Sequence, residues 1–139
     1  MYEYKCEVTR VVDGDTCDCI LDLGFNIMHK CRVRLYGIDT PESRTRDLDE
    51  KARGKLASKF LEDSINNGKK IILKSELKDS KGKYGRVLGS IIIDGLDINK
   101  AMVANNLAVR YFGQSKADVE AEHMVNRDIL VAEGAYEPV

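Results

Sequence analysis

Hydrophobic and polar positions alternate along the first third of the chain. Tyr4, Cys6 and Val8 interleave with Lys5, Glu7 and Thr9, and Asp13-Gly14-Asp15 then signals a turn. Cys17, Cys19, Leu21 and Leu23 alternate again, and the chain turns around Gly24 to Asn26. A third run sets Ile27, His29, Cys31, Val33 and Leu35 on one face and Lys30, Arg32 and Arg34 on the other. A period of two places alternate side chains on one face of a strand, so three such runs joined by short turns predict an antiparallel meander.

The period then changes. Ala52, Leu56, Phe60 and Ser64, flanked by Ala57, Leu61 and Ile65, follow a helical stripe. Asp47 with Glu50 three residues later resembles a capping box, and Asn67-Gly68 is a stop. Two apolar runs follow, Ile71 to Leu77 and Val87 to Ile93, separated by a polar, basic, glycine-containing stretch and closed by an Asp94-Gly95 turn. Asp97 caps a short helix running to about Asn106, and Ser115 caps a last helix from Lys116 to about Glu133. Five strands with a helix after the third predict an α+β fold, mainly β: a five-stranded Greek-key barrel of the OB type with three helices. The period changes alone also permit a generic α+β sandwich.

Composition narrows the function. The 139 residues read as one domain, 1–139, with 43% hydrophobic and 32% charged residues, as in a folded globular protein. A net charge of −1 supplies no global field for nucleic acid, so binding to it would need a local basic patch. Cys6, Cys17, Cys19 and Cys31 lack a CxxC pair or a nearby histidine pair, and read as small core or half-buried residues rather than a zinc site or a disulfide framework. No apolar signal core opens the sequence and no run is long enough to span a membrane, which leads to the expectation of a cytoplasmic setting.

The densest chemistry lies in Arg34-Leu35-Tyr36-Gly37-Ile38-Asp39-Thr40-Pro41-Glu42. Phosphodiester hydrolysis needs cations against the non-bridging oxygens, a positioned water, and often a metal ion. Arg34 and Arg86 each sit where an apolar run meets a loop and would clamp a phosphate. Asp15 and Asp39 would supply hard oxygen ligands if the first and third strands are neighbours through the second. Glu42, stiffened by Pro41, would direct the water. Each has a plainer reading: aspartates shaping turns, an exposed loop glutamate, and arginines pairing with surface acids.

Together, Asp13-Gly14-Asp15-Thr16, the Arg34 to Glu42 block and Lys83-Tyr84-Gly85-Arg86 resemble, in order and spacing, the three signature blocks of the staphylococcal nuclease (thermonuclease) family. The resemblance covers about Tyr4 to Tyr111. It implies a calcium-dependent nuclease on an OB-fold barrel, cleaving DNA and RNA to leave 3′-phosphates. It implies that Asp15, Asp39 and the Thr40 carbonyl bind Ca2+, and that Arg34 and Arg86 contact the scissile phosphate. Glu42 would act as general base or water positioner, with Lys83, Tyr84 and Tyr111 beside the nucleotide. Departures are Gly82 before Lys83, an acidic last helix and no tryptophan after it.

Lys30, Arg32 and Arg34 form a basic row, either a solvated strand face or a stripe that tracks a nucleic-acid backbone, the second being favoured because Arg34 belongs to the site. His29 and His123 have no partner at metal or triad spacing and read as structural or surface residues. The expectation is a monomeric phosphodiester hydrolase acting on DNA, RNA or both. The alternatives are a non-catalytic nucleic-acid-binding module on the same barrel and a protein-interaction module docking through the last helix.

Overall fold

The computed structural model describes residues 2–76 and 86–139. The elements in chain order are β1 (Glu3–Asp13), β2 (Thr16–Asp22), β3 (Met28–Leu35), β4 (Ile38–Asp39), α1 (Leu48–Asn67), β5 (Ile71–Ser75), β6 (Arg86–Ile93), β7 (Leu96–Asp97), α2 (Ile98–Ala104), β8 (Val109–Arg110) and α3 (Lys116–Ala132). The predicted meander is present: β1 pairs β2 and β2 pairs β3, both antiparallel. β1 also pairs β5, β5 pairs β6, and β6 returns to β3 in parallel. That parallel pairing closes a five-stranded mixed barrel, and three helices pack around it, as the OB-type reading expects. Two bulges bend the long β1, the second just before the Asp13–Asp15 turn.

Alternation fills the barrel. Cys17, Cys19 and Leu21 of β2, Val33 and Leu35 of β3, Leu73 of β5 and Ile91 and Ile93 of β6 are buried. Leu61 of α1 and Ile98 and Met102 of α2 cap this core. Each large side chain fully buried here contributes roughly 1.5–3 kcal/mol. The third run is apolar beyond the point where it packs: Ile27 and His29 share the face of Val33 but lie exposed past the barrel wall.

Asp47, Asp97 and Ser115 cap the three helices as predicted. The capping box is half formed. Asp47 accepts from the Asp49 and Glu50 amides, but Glu50 turns outward to accept the Glu42 amide at 3.0 Å. Gly68 ends α1 with extended backbone rather than a left-handed cap. No helix among the described residues is long and apolar enough to cross a membrane.

Candidate phosphate-binding cleft

Strand register builds the first half of the site. Thr16 at the start of β2 faces Arg34 near the end of β3. The Leu35 amide donates to the Asp15 carbonyl at 2.8 Å, extending the ladder into the turn. Asp15 therefore lies beside Arg34, with Arg34 Nη1 3.4 Å from Asp15 Oδ2. Gly37, at φ 77°, reverses the chain so that β4 can carry Asp39 back toward the same guanidinium. Arg34 Nη2 is 3.8 Å from Asp39 Oδ1. The guanidinium thus lies between two carboxylates, while its Nη1 donates to the Leu35 carbonyl at 2.9 Å.

The loop after β4 is braced by the Asp13–Asp15 turn and by α1. The Thr40 amide donates to Asp15 Oδ2 at 3.2 Å, and the Ser43 hydroxyl donates to Asp13 Oδ1. Thr40 and Pro41 are buried, so Glu42 is presented from a fixed segment. Beneath it α1 turns two small residues, Gly54 and Ala57, toward the loop and the Asp13–Asp15 turn. A Cβ on Gly54 would lie 2.5 Å from the Glu42 carbonyl oxygen, and one on Gly14 would lie 2.6 Å from Ala57 Cβ. Helix, turn and loop meet at backbone distance there.

Two adjoining cavities open on this assembly. One, of about 540 Å³, is lined by Arg34, Asp39, Thr40, Glu42, Tyr111 and residues of α3. The other, of about 490 Å³, is lined by Arg34, Arg86, Tyr36, Tyr111 and Phe112. Arg34 and Tyr111 line both, so the cavity that Glu42 borders and the one that Arg86 borders share a wall. Tyr111 is held there by its amide, which donates to the Gly37 carbonyl at 2.8 Å. Lys83 and Tyr84, expected beside the nucleotide, lie outside the described residues, as does Gly82.

The electrostatics are those of an acidic cluster around one cation. Partial desolvation, reinforced by Asp13, Asp15, Asp39 and Glu50, pushes the Glu42 carboxyl above the usual glutamate range. Among the described residues no three acidic, histidine or cysteine side chains meet at one point. A divalent ion here would be held by the two aspartates, with carbonyl and water oxygens completing its shell.

One expectation needs correction and another resolves. The row Lys30, Arg32, Arg34 is not one functional stripe, because Arg32 is engaged by Asp18, with Nε 2.8 Å from Oδ1 on the outer wall. Only Arg34 turns into the cleft. Of the two readings for His123, structural or surface, the structural one holds, and it has a partner far away in sequence. It is 5% exposed, and its Nε2 lies 2.8 Å from Asp39 Oδ2.

Asn99 was also not legible. It is buried on α2, donates to the Tyr36 carbonyl at 2.9 Å and the Gly89 carbonyl at 3.2 Å, and accepts from the Ile91 amide at 3.3 Å. It fastens the Arg34–Ile38 segment to β6. Gly54 did carry a signal: a glycine inside a helix costs about 1 kcal/mol relative to alanine and usually marks a close approach.

Comparison with known proteins agrees with this geometry. The family described as staphylococcal nuclease homologue matches residues 32–131. Endonuclease YhcR of Bacillus subtilis (strain 168) is 38% identical over 118 residues, covering 79% of this chain and 9% of that protein. Endonuclease YncB of the same organism is 31% identical over 99 residues, covering 71% of this chain and 44% of that protein. Protein ParB of Escherichia coli is 34% identical over 128 residues, covering 85% of this chain and 64% of that protein. The chain therefore spans less than two thirds of each of these relatives. With a family match over most of its length, and a barrel that brings Asp15, Arg34 and Asp39 to one point, the chain belongs to the staphylococcal nuclease homologue family.

Proposed function

We propose that the chain is a calcium-dependent nuclease that hydrolyses phosphodiester bonds of DNA, RNA or both and leaves 3′-phosphate ends. It acts as one domain and as a monomer. The observation that carries this reading is the Arg34 guanidinium between Asp15 and Asp39, at the mouth of the cavity that Glu42 lines. Relatives named endonucleases support it.

Arg34 and Arg86 hold the non-bridging oxygens of the scissile phosphate, where negative charge shifts as the bond to the leaving group breaks. Arg34 is poised for this exchange. Its contacts to the carboxylates are 3.4 and 3.8 Å, longer than a strong charge-assisted bond, so a phosphate oxygen can replace them. Glu42 orients the attacking water or takes its proton. A carboxyl whose proton affinity is raised by burial and like charge is a better base than a free glutamate. Tyr111 lines the cleft where a nucleotide would lie.

The donor set fits calcium. Asp15 and Asp39 each turn one hard oxygen toward the Arg34 guanidinium, where a cation is already accommodated, and the Thr40 amide donates to Asp15, which supports a role for the Thr40 segment. When bound there, calcium would offset the charge of the phosphate and of the aspartates. Asp15 and Asp39 would hold it, Thr40 would add its carbonyl, and Arg34 would be released toward substrate.

Glu42→Gln and Arg86→Ala test the assignment. Each should lower the cleavage rate on single-stranded DNA about 100- to 1,000-fold, the usual worth of one transition-state contact. Wild-type rates in either variant would sink it. Oligonucleotide binding without turnover in any divalent metal would favour the non-catalytic module instead.

A further inference from the structure

α3 buries only His123 and Leu130 of its 17 residues. One of its two buried positions is thus given to an imidazole, on a helix that could have packed with an aliphatic residue. His123 Nε2 lies 2.8 Å from Asp39 Oδ2, while the other oxygen of Asp39 faces Arg34. Among the described residues, His123 Nδ1 is buried with no hydrogen-bond partner. These contacts favour one neutral tautomer over the other. With the proton on Nε2, the ring donates to the carboxylate and leaves Nδ1 a bare lone pair. With the proton on Nδ1, a buried N–H would be orphaned and two lone pairs would face each other, which is the costlier arrangement.

We infer that His123 is a positioning residue that sets the rotation of the Asp39 carboxylate, so that helix α3 forms part of the cation and phosphate site. The inference rests on the proposed function of the cleft. Asp39 ends a two-residue strand, so its backbone is held by β8, but its side chain stands 32% exposed at the cavity wall. The bond to His123 occupies Oδ2 and presents Oδ1 to the cleft. Without it, the carboxylate is free to rotate out to water. Partners that orient a ligating group typically change metal affinity or activity by about 10- to 100-fold when removed. α3 is itself anchored near the site by Asn126, which donates to the Ala108 carbonyl at 3.2 Å. The imidazole is therefore held at a set height over Asp39.

The test compares wild type, His123→Leu and His123→Gln in thermal unfolding across a calcium titration. The calcium midpoint should move up about 10- to 100-fold in His123→Leu. His123→Gln, which keeps an N–H donor, should recover most of that shift. Cleavage by His123→Leu should approach the wild-type rate at saturating calcium, a defect in affinity rather than in turnover. The sequence has only two histidines, so nitrogen-15 spectra can also read the His123 tautomer directly, with the Nε2–H form expected. A purely packing role would change the melting temperature without calcium and leave the calcium midpoint in place. A wild-type midpoint in His123→Leu, or the Nδ1–H form, overturns the inference alone. A wild type with neither a calcium-dependent shift nor cleavage overturns the reading of the cleft and this inference with it.

Discussion

One methyl group added at Gly54 should cost far more activity than stability. Alanine in a helix interior is favoured over glycine by about 1 kcal/mol, so propensity alone predicts a more stable protein. The structure opposes this. The new Cβ would lie 2.5 Å from the Glu42 carbonyl oxygen, 2.6 Å from its carbon and 2.7 Å from the Ser43 nitrogen. Ordinary contact begins at 3.4 Å, so the loop or the helix must move by about 0.9 Å. The clashing atoms are backbone and cannot rotate away. Overpacking of this kind costs roughly 1–3 kcal/mol, leaving a net destabilisation of about 0–2 kcal/mol once the helix gain is subtracted.

The displaced group is the one that carries Glu42. A shift near 1 Å in a reacting group costs about 100-fold in rate. Gly54→Ala should therefore lose about two orders of magnitude in kcat/KM on a single-stranded oligonucleotide while its thermal unfolding changes only modestly. Lys55→Ala, on the exposed face of the same helix, serves as the control and should cleave as wild type. Wild-type kcat/KM in a folded Gly54→Ala would refute the claim that α1 sets the position of Glu42.

Asp49 gives a stability prediction with a pH signature. Burial would raise its carboxyl, but hydrogen bonds from Arg127, the Val139 amide and Tyr136 outweigh this and hold it below the ordinary aspartate range. Its contribution is therefore present above the unfolded value and lost as pH falls through the depressed folded value. The stability gap between wild type and Asp49→Asn, measured by denaturant unfolding, should shrink as pH drops below about 4. Asn99→Ala should destabilise by about 2–3 kcal/mol in urea unfolding, because it strips buried backbone groups of β6 and the Tyr36 turn of their partner. Arg32→Ala should leave cleavage near wild type, whereas Arg34→Ala should lose about 100-fold or more, since only Arg34 enters the cleft.

What was legible in the sequence follows from what is local. β1, β2 and β3 show a period of two, because each has one face in the barrel, and the helix caps rest on single side chains bonding amides two or three residues on. The three blocks around Asp15, Arg34–Glu42 and Arg86 marked the cleft because they are short and dense. The parallel β3–β6 pairing joins Arg32 to Arg86, and no periodicity reports a partner that far away. His123 lies 84 residues from Asp39, so its histidine looked unpartnered on its own helix. Arg32 and Arg34 look alike in the alternation, and only the cross-strand Asp18 separates them. A glycine inside a helical stripe is a local anomaly, but the partner of Gly54, the backbone of Glu42, emerges only when the loop folds over α1.

On the proposed reading, Arg34, Arg86, Asp15, Asp39 and Glu42 form one calcium-assisted hydrolytic site. The most direct measurement is cleavage of matched single-stranded DNA and RNA by the wild-type protein, with calcium or with chelator, followed by end-group analysis of the products. A calcium-assisted site of this kind should give fragments ending in 3′-phosphate with calcium and intact substrate with chelator. Undiminished cleavage in chelator, 3′-hydroxyl ends, or no cleavage of either nucleic acid with calcium would contradict it.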